Sequence, residues 1–262
     1  MSYTEILYKV ENGIATITLN NPEVMNATSP TMHHEWANAI LNARDDDNVK
    51  VVIVTGAGRA FCAGRNLKTS SQEEQSQVGE PTINRTVGEH DVAEILQSLN
   101  KPYIGAINGA AAGGGMDMAS QCDIRFASEN ARFNMAYIRM GAMPSQGGLW
   151  TLPRIIGTAK ALELIWTGKT IDAQEALSIG YVSKIFPEEN FITAVQQWCE
   201  PLINGPQETI QEDKKLAYRL LGINDLVTAI GITDDAARWV RQRRNSEEGR
   251  RAWLERRNPN FS

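Results

Sequence analysis

Three successive glycines followed closely by one acid are the residues of this sequence best suited to chemistry. The glycines occupy 113–115 and the acid is Asp117. They follow a small-residue run, 104–113, that reads as one strand, and they open a segment, 116–123, that reads as a helix. A helix start presents unpaired N–H groups at the positive end of the helix dipole, and glycine lets a ligand approach the backbone. Donors beside one titratable side chain suit enolate or acyl chemistry, whereas the alternative is a close contact between strand and helix.

A second glycine-containing turn strengthens the first. Residues 63–65, AGR, follow a β-branched run at 51–55, VVIVT. Either turn alone is weak evidence for a site. Together they indicate two backbone N–H groups that converge on one oxygen, which is an oxyanion hole built without side-chain donors.

Composition and charge exclude several classes of function. The net charge of −5 and the pI of about 5.4 argue against nucleic acid as a partner. The three cysteines, Cys62, Cys122 and Cys199, show no metal-binding spacing and favour a reducing compartment. No apolar run reaches the ~18 residues of a membrane helix, and the first residues do not read as a signal peptide. We therefore expect a cytoplasmic protein without a membrane segment or a metal.

Hydrophobic periodicity predicts strands and helices that alternate before a helical tail. The predicted strands cover 6–10, 13–19, 49–55, 102–108, 123–126, 132–135 and 181–185. The predicted helices cover 31–43, 87–99, 116–123, 149–156 with a break at Pro153, 158–167, 172–179 and most of 190–262. This order predicts an α/β fold, divided into a core at 1–195 and a helical region at 196–262. The polar stretch 69–85 is predicted to be a loop or lid.

The sequence resembles the crotonase superfamily, also called the enoyl-CoA hydratase/isomerase family, over nearly the whole chain. The residues that carry the resemblance are GIATITLN at 13–20, VIVTG at 52–56, AFCAGRNL at 60–67, AING at 106–109, GGG at 113–115, CDI at 122–124, AQEA at 173–176, GYVS at 180–183 and ERRNPNF at 255–261. Such a family member is expected to fold as a spiral of ββα units. Its C-terminal helices are expected to promote a homotrimer or a dimer of trimers.

The resemblance also implies a substrate and a set of site residues. The substrate is an acyl thioester of coenzyme A, and no separate cofactor is implied. The backbone N–H groups of Arg65 and Gly114 would form the oxyanion hole. The residues expected to line the coenzyme A and acyl site are Val24, Met25, Ala63, Asn66, Leu67 and Ser145.

The departures from the family pattern concern its acidic positions. Family hydratases carry two glutamates, and this sequence has Asp117 at the first position and Tyr137 at the second. A third acidic position, used by isomerases, holds Ser145, and an acid common in the first turn is replaced by Asn66. Asp117 is therefore the expected acid/base, with Tyr137 as a hydrogen-bond donor.

Four functions follow as hypotheses. The first is hydration of an α,β-unsaturated acyl-CoA, in which Tyr137 orders the water. The second is isomerisation, in which Asp117 moves a proton along an enoyl or dienoyl chain. The third is C–C hydrolysis or decarboxylation of a functionalised acyl-CoA. The fourth is a non-catalytic protein that binds acyl-CoA, since two acidic positions are replaced. The sequence leaves the acyl group open.

Overall fold

The computed structural model of the protein describes residues 3–66 and 89–261, with side chains from residue 92 in the second range. Leu67 and the predicted lid at 69–85 lie outside the described residues. No helix in the described ranges is long and apolar enough to cross a membrane.

Ten strands form two sheets within the described part of the chain. They are β1 Ile6–Glu11, β2 Ile14–Leu19, β3 Val51–Gly56, β4 Ala60–Cys62, β5 Tyr103–Ile107, β6 Ala110–Ala112, β7 Ile124–Ser128, β8 Arg132–Asn134, β9 Thr170–Asp172 and β10 Lys184–Phe186. The larger sheet has the order β1-β2-β3-β5-β7-β10, and the smaller has the order β4-β6-β8-β9. All pairs are parallel except β1 with β2 and β8 with β9.

Ten α-helices connect and cover the sheets in the same ranges. They are α1 Pro30–Asp45, α2 Glu89–Ser98, α3 Gly114–Ser120, α4 Gly148–Ile156, α5 Thr158–Thr167, α6 Ala173–Ser178, α7 Phe191–Ile203, α8 Gln207–Leu220, α9 Leu226–Arg241 and α10 Arg244–Glu255. The helix predicted at 31–43 is α1, and Ser29 caps it by accepting a hydrogen bond from the Met32 N–H. The helical tail predicted after residue 190 corresponds to α7 to α10.

The strands follow a repeating ββα path. Strands β3, β5 and β7 belong to the larger sheet, and the strand that follows each of them, β4, β6 or β8, belongs to the smaller sheet. Each turn of the chain therefore adds one strand to both sheets, which confirms the predicted spiral. Because the smaller sheet stacks β4 beside β6, the segments that follow these two strands emerge next to each other.

The centre of the larger sheet, including β3, is buried on both faces. Val52 and Val54 of β3 face a core that includes the fully buried Trp36 of α1. Their neighbours Val51 and Ile53 face a second core under α7. This burial accounts for the continuous β-branched run at 51–55, because a parallel strand covered on both sides has no polar face.

The C-terminal helices are joined to the core by polar contacts. The Lys214 ammonium lies 2.7 Å from the Asp123 carboxylate, which also accepts a hydrogen bond from the Tyr218 hydroxyl at 2.7 Å. Helix α7 runs across the predicted division at 195 and packs on β3 and β5. The division between a core and a helical region stays a prediction.

Three sequence predictions are corrected by the fold. The run 104–113 is not one strand, because the chain breaks after β5 and enters β6 in the other sheet. Pro153 does not break its helix, since α4 continues to Ile156 and burial of Leu152 offsets the lost backbone hydrogen bond. The last strand is also shorter than predicted, because β10 covers only Lys184–Phe186.

Asn26 is a fully buried polar residue that fixes the turn before α1. Its amide donates hydrogen bonds to the carbonyl oxygens of Ala57 at 2.9 Å, Ala60 at 2.8 Å and Phe61 at 3.2 Å. Its own oxygen accepts from the Asn21 N–H at 2.9 Å. These bonds attach the turn to the segment that begins β4, and therefore to the first glycine turn.

We expect Asn26→Ala to lower the free energy of unfolding by about 3 kcal/mol, because it leaves several buried backbone groups unsatisfied. Urea unfolding measures the change. Asn204→Ala is the matched control, since the Asn204 side chain is exposed and donates a hydrogen bond to the Glu200 carbonyl of the preceding turn, and its expected change is under about 0.5 kcal/mol. Equal losses in both variants would contradict a structural role for the Asn26 hydrogen bonds.

Candidate active site

The first glycine turn is held close to the second. Gly64 has a φ of +88°, and a Cβ placed on it would lie 2.7 Å from the Ala112 carbonyl oxygen and 3.2 Å from the Gly114 nitrogen. A Cβ on Gly114 would in turn lie 3.7 Å from the Gly64 Cα. Only glycine fits at position 64, because both the backbone angle and the space exclude a side chain. The two glycine turns predicted to cooperate are therefore in contact.

Hydrogen bonds on either side of Arg65 orient its backbone. The Thr28 N–H donates to the Gly64 carbonyl at 2.7 Å, and the Asn66 N–H donates to the Thr28 carbonyl at 3.0 Å. This is one bridge of a parallel ladder, in which the central residue, Arg65, directs its own N–H and C=O away from the partner segment. The Gly64 N–H is engaged separately by the Cys62 Sγ at 3.4 Å.

The second glycine turn starts α3. The Gly113 N–H donates to the Asn134 carbonyl of β8 at 2.8 Å, which ties the turn to the smaller sheet. The Gly113 carbonyl accepts the N–H groups of Met116 and Asp117. Gly114 is the first residue of the helix, so its N–H has no partner within the helix.

Asp117 lies in the first turn of α3 with no exposed surface. Its Oδ2 accepts a hydrogen bond from the Tyr137 hydroxyl at 2.7 Å. Its Oδ1 is buried and has no hydrogen-bonding partner among the residues that the structure describes. One oxygen of the carboxyl group is thus fixed, and the other remains available for proton transfer.

Burial raises the pKa of Asp117 from its usual 3.8 to about 6. Desolvation is the main cause, because the low-dielectric surroundings disfavour the charged carboxylate. The Tyr137 hydrogen bond lowers this pKa in part, and the Gln146 backbone N–H acts in the same direction without reaching full hydrogen-bond geometry. A pKa near 6 allows the group both to accept and to donate a proton near neutral pH.

Tyr137 reaches Asp117 from a 3₁₀ turn, Ala136–Met140, that follows β8. Its ring is half-buried and packs against the main core. Since β8 is paired with β6, which leads directly into α3, the two residues are brought together by the sheet. The structure therefore pairs the two side chains that the sequence analysis selected as catalytic, although their roles stay a prediction.

A loop at 144–148 covers the free oxygen of Asp117. A Cβ placed on Gly148 would lie 2.1 Å from Asp117 Oδ1 and 3.0 Å from the Pro144 Cβ, so position 148 has no room for a side chain. The side-chain oxygen of Gln146 would lie 3.0 Å from a Cβ on Gly114. This loop thus meets both the acid and the second glycine turn. Ser145 of the same loop is exposed.

Most of the residues predicted to line the coenzyme A site lie near one another. The Ala63 N–H donates to the Met25 carbonyl at 3.0 Å. Three residues later in both segments, the Asn66 N–H donates to the Thr28 carbonyl at 3.0 Å. Val24 and Met25 are each 38% exposed, so both apolar side chains are accessible to a ligand. Leu67 lies outside the described residues, so its position is untested.

Two residues in or next to the site were not selected from the sequence. Gly148 precedes the predicted helix at 149–156 and was not singled out, although the pair of glycines at 147–148 allows a close approach of the backbone. Gln121 was not considered. Its amide donates to the Gln146 carbonyl at 2.8 Å and so links the loop at 144–148 to the end of α3. A lone glutamine at a helix end gives no sequence signal of that contact.

The spiral fold and the paired glycine turns beside a buried acid define a crotonase-type protein. The family model described as enoyl-CoA hydratase/isomerase matches residues 9–262. The chain belongs to the enoyl-CoA hydratase/isomerase family.

Relatives and solved structures agree with this assignment over their full lengths. The chain is 34% identical to a protein of Rhodobacter capsulatus named "probable enoyl-CoA hydratase", covering 100% of this chain and 99% of that protein. It is 32% identical to the 1,2-epoxyphenylacetyl-CoA isomerase of Escherichia coli, covering 98% of each. The crystal structure of an enoyl-CoA hydratase from Bacillus anthracis is 30% identical, with a TM-score of 0.89 over 98% of this chain and 99% of that one.

The raised pKa of Asp117 predicts that the free energy of unfolding depends on pH. Below pH 3.8 the carboxyl group is protonated in both states; between 3.8 and about 6 it ionises only in the unfolded chain. Stability is therefore lost as the pH rises through this window. The shift corresponds to about 3 kcal/mol. We expect the stability of Asp117→Asn relative to the wild type to increase by most of that amount, about 2 kcal/mol, between pH 4 and pH 7.

Urea unfolding at a series of pH values measures this difference. Asp225→Asn is a control of opposite sign, because hydrogen bonds from Thr228 lower the pKa of Asp225 and its ionised form stabilises the fold. A difference for Asp117→Asn that is independent of pH would contradict the raised pKa.

Proposed function

We propose that this protein adds water across the double bond of an α,β-unsaturated acyl-CoA thioester, with Asp117 as the acid/base. The observation that carries the proposal is the buried Asp117, which has one fixed and one unpartnered oxygen beside two touching glycine turns. Its family and the names of its relatives support an acyl-CoA substrate. The acyl group remains to be identified by a substrate screen.

The backbone N–H groups of Arg65 and Gly114 are proposed to bind the thioester oxygen. Attack of water on the β-carbon moves electrons through the conjugated system to that oxygen and gives a thioester enolate. Two N–H donors stabilise this negative charge more than they stabilise the neutral carbonyl, so they lower the barrier. Loss of one such donor typically costs about 2.7–4 kcal/mol in barrier height. The contact between Gly64 and Gly114 and the outward direction of the Arg65 N–H support this assignment.

One carboxyl group is sufficient for the proton transfers. The Asp117 carboxylate takes a proton from water while the water oxygen bonds to the β-carbon. The protonated Asp117 then gives that proton to the α-carbon as the enolate collapses to the thioester. One water is consumed, Asp117 is regenerated as a carboxylate, and no separate cofactor takes part. A pKa of about 6 suits both steps near neutral pH.

Tyr137 is proposed to hold Asp117 in place and to order the water. Its hydroxyl donates to Oδ2, so that Oδ1 faces the loop at 144–148. A phenol hydroxyl is a donor rather than a base at neutral pH, so Tyr137 does not replace the second carboxylate of family hydratases. The second oxygen of Asp117 is the atom left for exchange with water or substrate.

The coenzyme A and acyl parts are assigned to the surrounding turns. Backbone hydrogen bonds from Ala63 to Met25 and from Asn66 to Thr28 bring the segments 24–28 and 63–66 together, which supports this assignment, and Leu67 follows directly in sequence. Asn66 offers hydrogen bonds without the charge that family members often carry there. Ser145 is assigned to the acyl side because its loop covers Asp117.

Isomerisation is the second candidate, and the single carboxyl group is the observation that favours it. Among described residues, Tyr137 is the only side chain that hydrogen-bonds to Asp117, so water activation by a second acid is not evident. A lone carboxyl group can move a proton between two carbons of one substrate without water. The relative from Escherichia coli is itself named an isomerase.

The homotrimer or dimer of trimers stays a prediction, as does the cytoplasmic location. Helices α9 and α10 expose large apolar side chains, which supports association through the C-terminal region. These are Leu226, Val227, Ile230, Trp253 and Leu254.

Asp117→Asn is expected to lower kcat by about a thousandfold, because no second described carboxylate can take over proton transfer. The assay is a panel of linear, branched, cyclic and aromatic enoyl-CoA thioesters with mass-spectrometric detection in H₂¹⁸O. Hydration introduces one ¹⁸O atom into the product, whereas isomerisation introduces none.

The matched control is Asp225→Asn, the same substitution at the cap of α9, which should retain turnover. Undiminished activity of Asp117→Asn would remove Asp117 from the mechanism. Calorimetric binding of the thioesters without any turnover would support the non-catalytic alternative instead.

Tyr137→Phe is expected to raise the pKa of Asp117, because the hydroxyl that it removes lowers that pKa. The ionisation that limits kcat/KM at acidic pH should move to higher pH by about one unit. We expect a smaller loss of kcat for isomerisation than for hydration, since only hydration requires an ordered water.

The pH profile of kcat/KM tests this expectation. Tyr3→Phe is the control, because its hydroxyl accepts a hydrogen bond from the Asn42 amide in an exposed contact. An unchanged profile in Tyr137→Phe would show that the hydroxyl does not act on Asp117.

A further inference from the structure

Gln121 lies behind the candidate site and does not border it. It follows Asp117 by four residues and forms the C-cap of α3, so both side chains lie on neighbouring parts of one helix face. Its amide nitrogen donates to the Gln146 carbonyl at 2.8 Å. A Cβ on the next residue, Gly147, would lie 3.8 Å from the same nitrogen. The end of α3 is thereby bound to the loop at 144–148.

Gln146 is the residue of that loop that meets both halves of the site. Its backbone N–H lies near Asp117 and lowers the pKa of the carboxyl group. The side-chain oxygen of Gln146 lies next to Gly114, because a Cβ placed on Gly114 would be 3.0 Å from it. The Gln121 amide holds the Gln146 carbonyl, which belongs to the next peptide group and is joined to the first through the Gln146 Cα. Displacement of Gln146 would therefore alter the surroundings of the acid and of the proposed oxyanion donor together.

We propose that Gln121 is a positioning residue that fixes the loop at 144–148 over Asp117 through its hydrogen bond to the Gln146 carbonyl. This inference rests on the proposed function for its effect on catalysis, but the hydrogen bond itself can be tested without turnover. The glycines at 147 and 148 offer no side chain of their own to anchor the loop. Gly147 also has a φ of +92°, a backbone conformation that glycine adopts about as readily as negative φ values.

The other titratable groups around α3 do not obscure a change at Asp117. Burial raises the pKa of the Cys62 thiol of β4 to about 12, and it raises the pKa of Tyr181 still further. Strand β6 contributes only alanines. Arg154, a charged residue of α4, donates to the Trp150 carbonyl within its own helix. The Cys62 thiol and the Tyr181 hydroxyl therefore stay protonated between pH 5 and pH 8 and do not titrate together with Asp117.

Gln121→Met tests the proposal, because methionine keeps the length and volume of glutamine and removes the donor. Gln207→Met is a closely matched control. The Gln207 amide also donates to backbone carbonyls at a helix–loop junction, those of Leu202, Ile203 and Gly205, and it is buried to a similar degree. It lies at the start of α8, outside the catalytic and binding residues.

The first measurement needs no substrate. Carboxyl ¹³C NMR of the free protein, with Asp117→Asn to assign the resonance, gives the pKa of Asp117. We expect Gln121→Met to raise this pKa, because the Gln146 N–H that lowers it loses its fixed position. Hydrogen exchange of the amides at 145–149 should become faster in the same variant. Gln207→Met should change neither quantity.

The second measurement uses the thioester that the substrate screen identifies. We expect Gln121→Met to lower kcat by about 10- to 100-fold with a change in KM of under about threefold, since misplacement of the catalytic groups affects the transition state more than binding. The acidic limb of the kcat/KM profile should move to higher pH with the NMR pKa.

The outcomes separate the two proposals. An unchanged Asp117 pKa and unchanged exchange at 145–149 in Gln121→Met would overturn the positioning role, whatever the activity. Absence of turnover by the wild type on every thioester, with the pKa and exchange changes present, would overturn the proposed function and leave the positioning role standing. Equal effects of Gln207→Met would also overturn the positioning role, since they would show a general loss of stability.

Discussion

The burial of one carboxyl group is the constraint on which the candidate site depends. Asp117 has no exposed surface, so its charged form is costly unless the surroundings compensate for the lost hydration. The structure compensates in part, through one hydrogen bond from Tyr137 and a nearby backbone N–H from Gln146. A pKa of about 6 is the balance of these effects. Full compensation would give an ordinary surface-like acid that is too weak a base for catalysis.

Gly64 and Gly148 allow close packing around the site, and this matters more here than their flexibility. At Gly64 and Gly148 a side chain would collide with neighbouring atoms at 2.7 Å and 2.1 Å. Because these glycines have no Cβ, the two glycine turns meet at Gly64 and the loop at 144–148 packs against Asp117 at Gly148. Close packing then raises the electrostatic effect of every remaining dipole, because less water is present to screen it. The same packing that stabilises the fold therefore strengthens the electrostatic interactions of the buried carboxyl group.

Much of this arrangement follows from the sequence, and the rest depends on contacts that no local pattern reveals. Strands β1 and β2, helix α1 and the helical tail were predictable because periodicity and capping residues are local signals. The separation of β5 from β6 was not, since a run of small residues looks the same whether it stays in one sheet or changes to another. The pairing of Asp117 with Tyr137 was expected only from the family resemblance. Gly148 was not singled out, because the carboxyl group that requires it lies 31 residues away.

A single fixed carboxyl group has a consequence for specificity. Family hydratases divide the handling of water between two acids, whereas in the proposed mechanism Asp117 Oδ1, which has no hydrogen-bond partner among the described residues, serves water, the α-carbon or both. In that mechanism the position of the substrate relative to this one oxygen decides between hydration and proton movement along the chain. The way the acyl group lies against the loop at 144–148 and the turn that carries Tyr137 would set that position. The proposed mechanism therefore makes the shape of the acyl pocket, rather than the identity of the acid, the feature that selects the reaction.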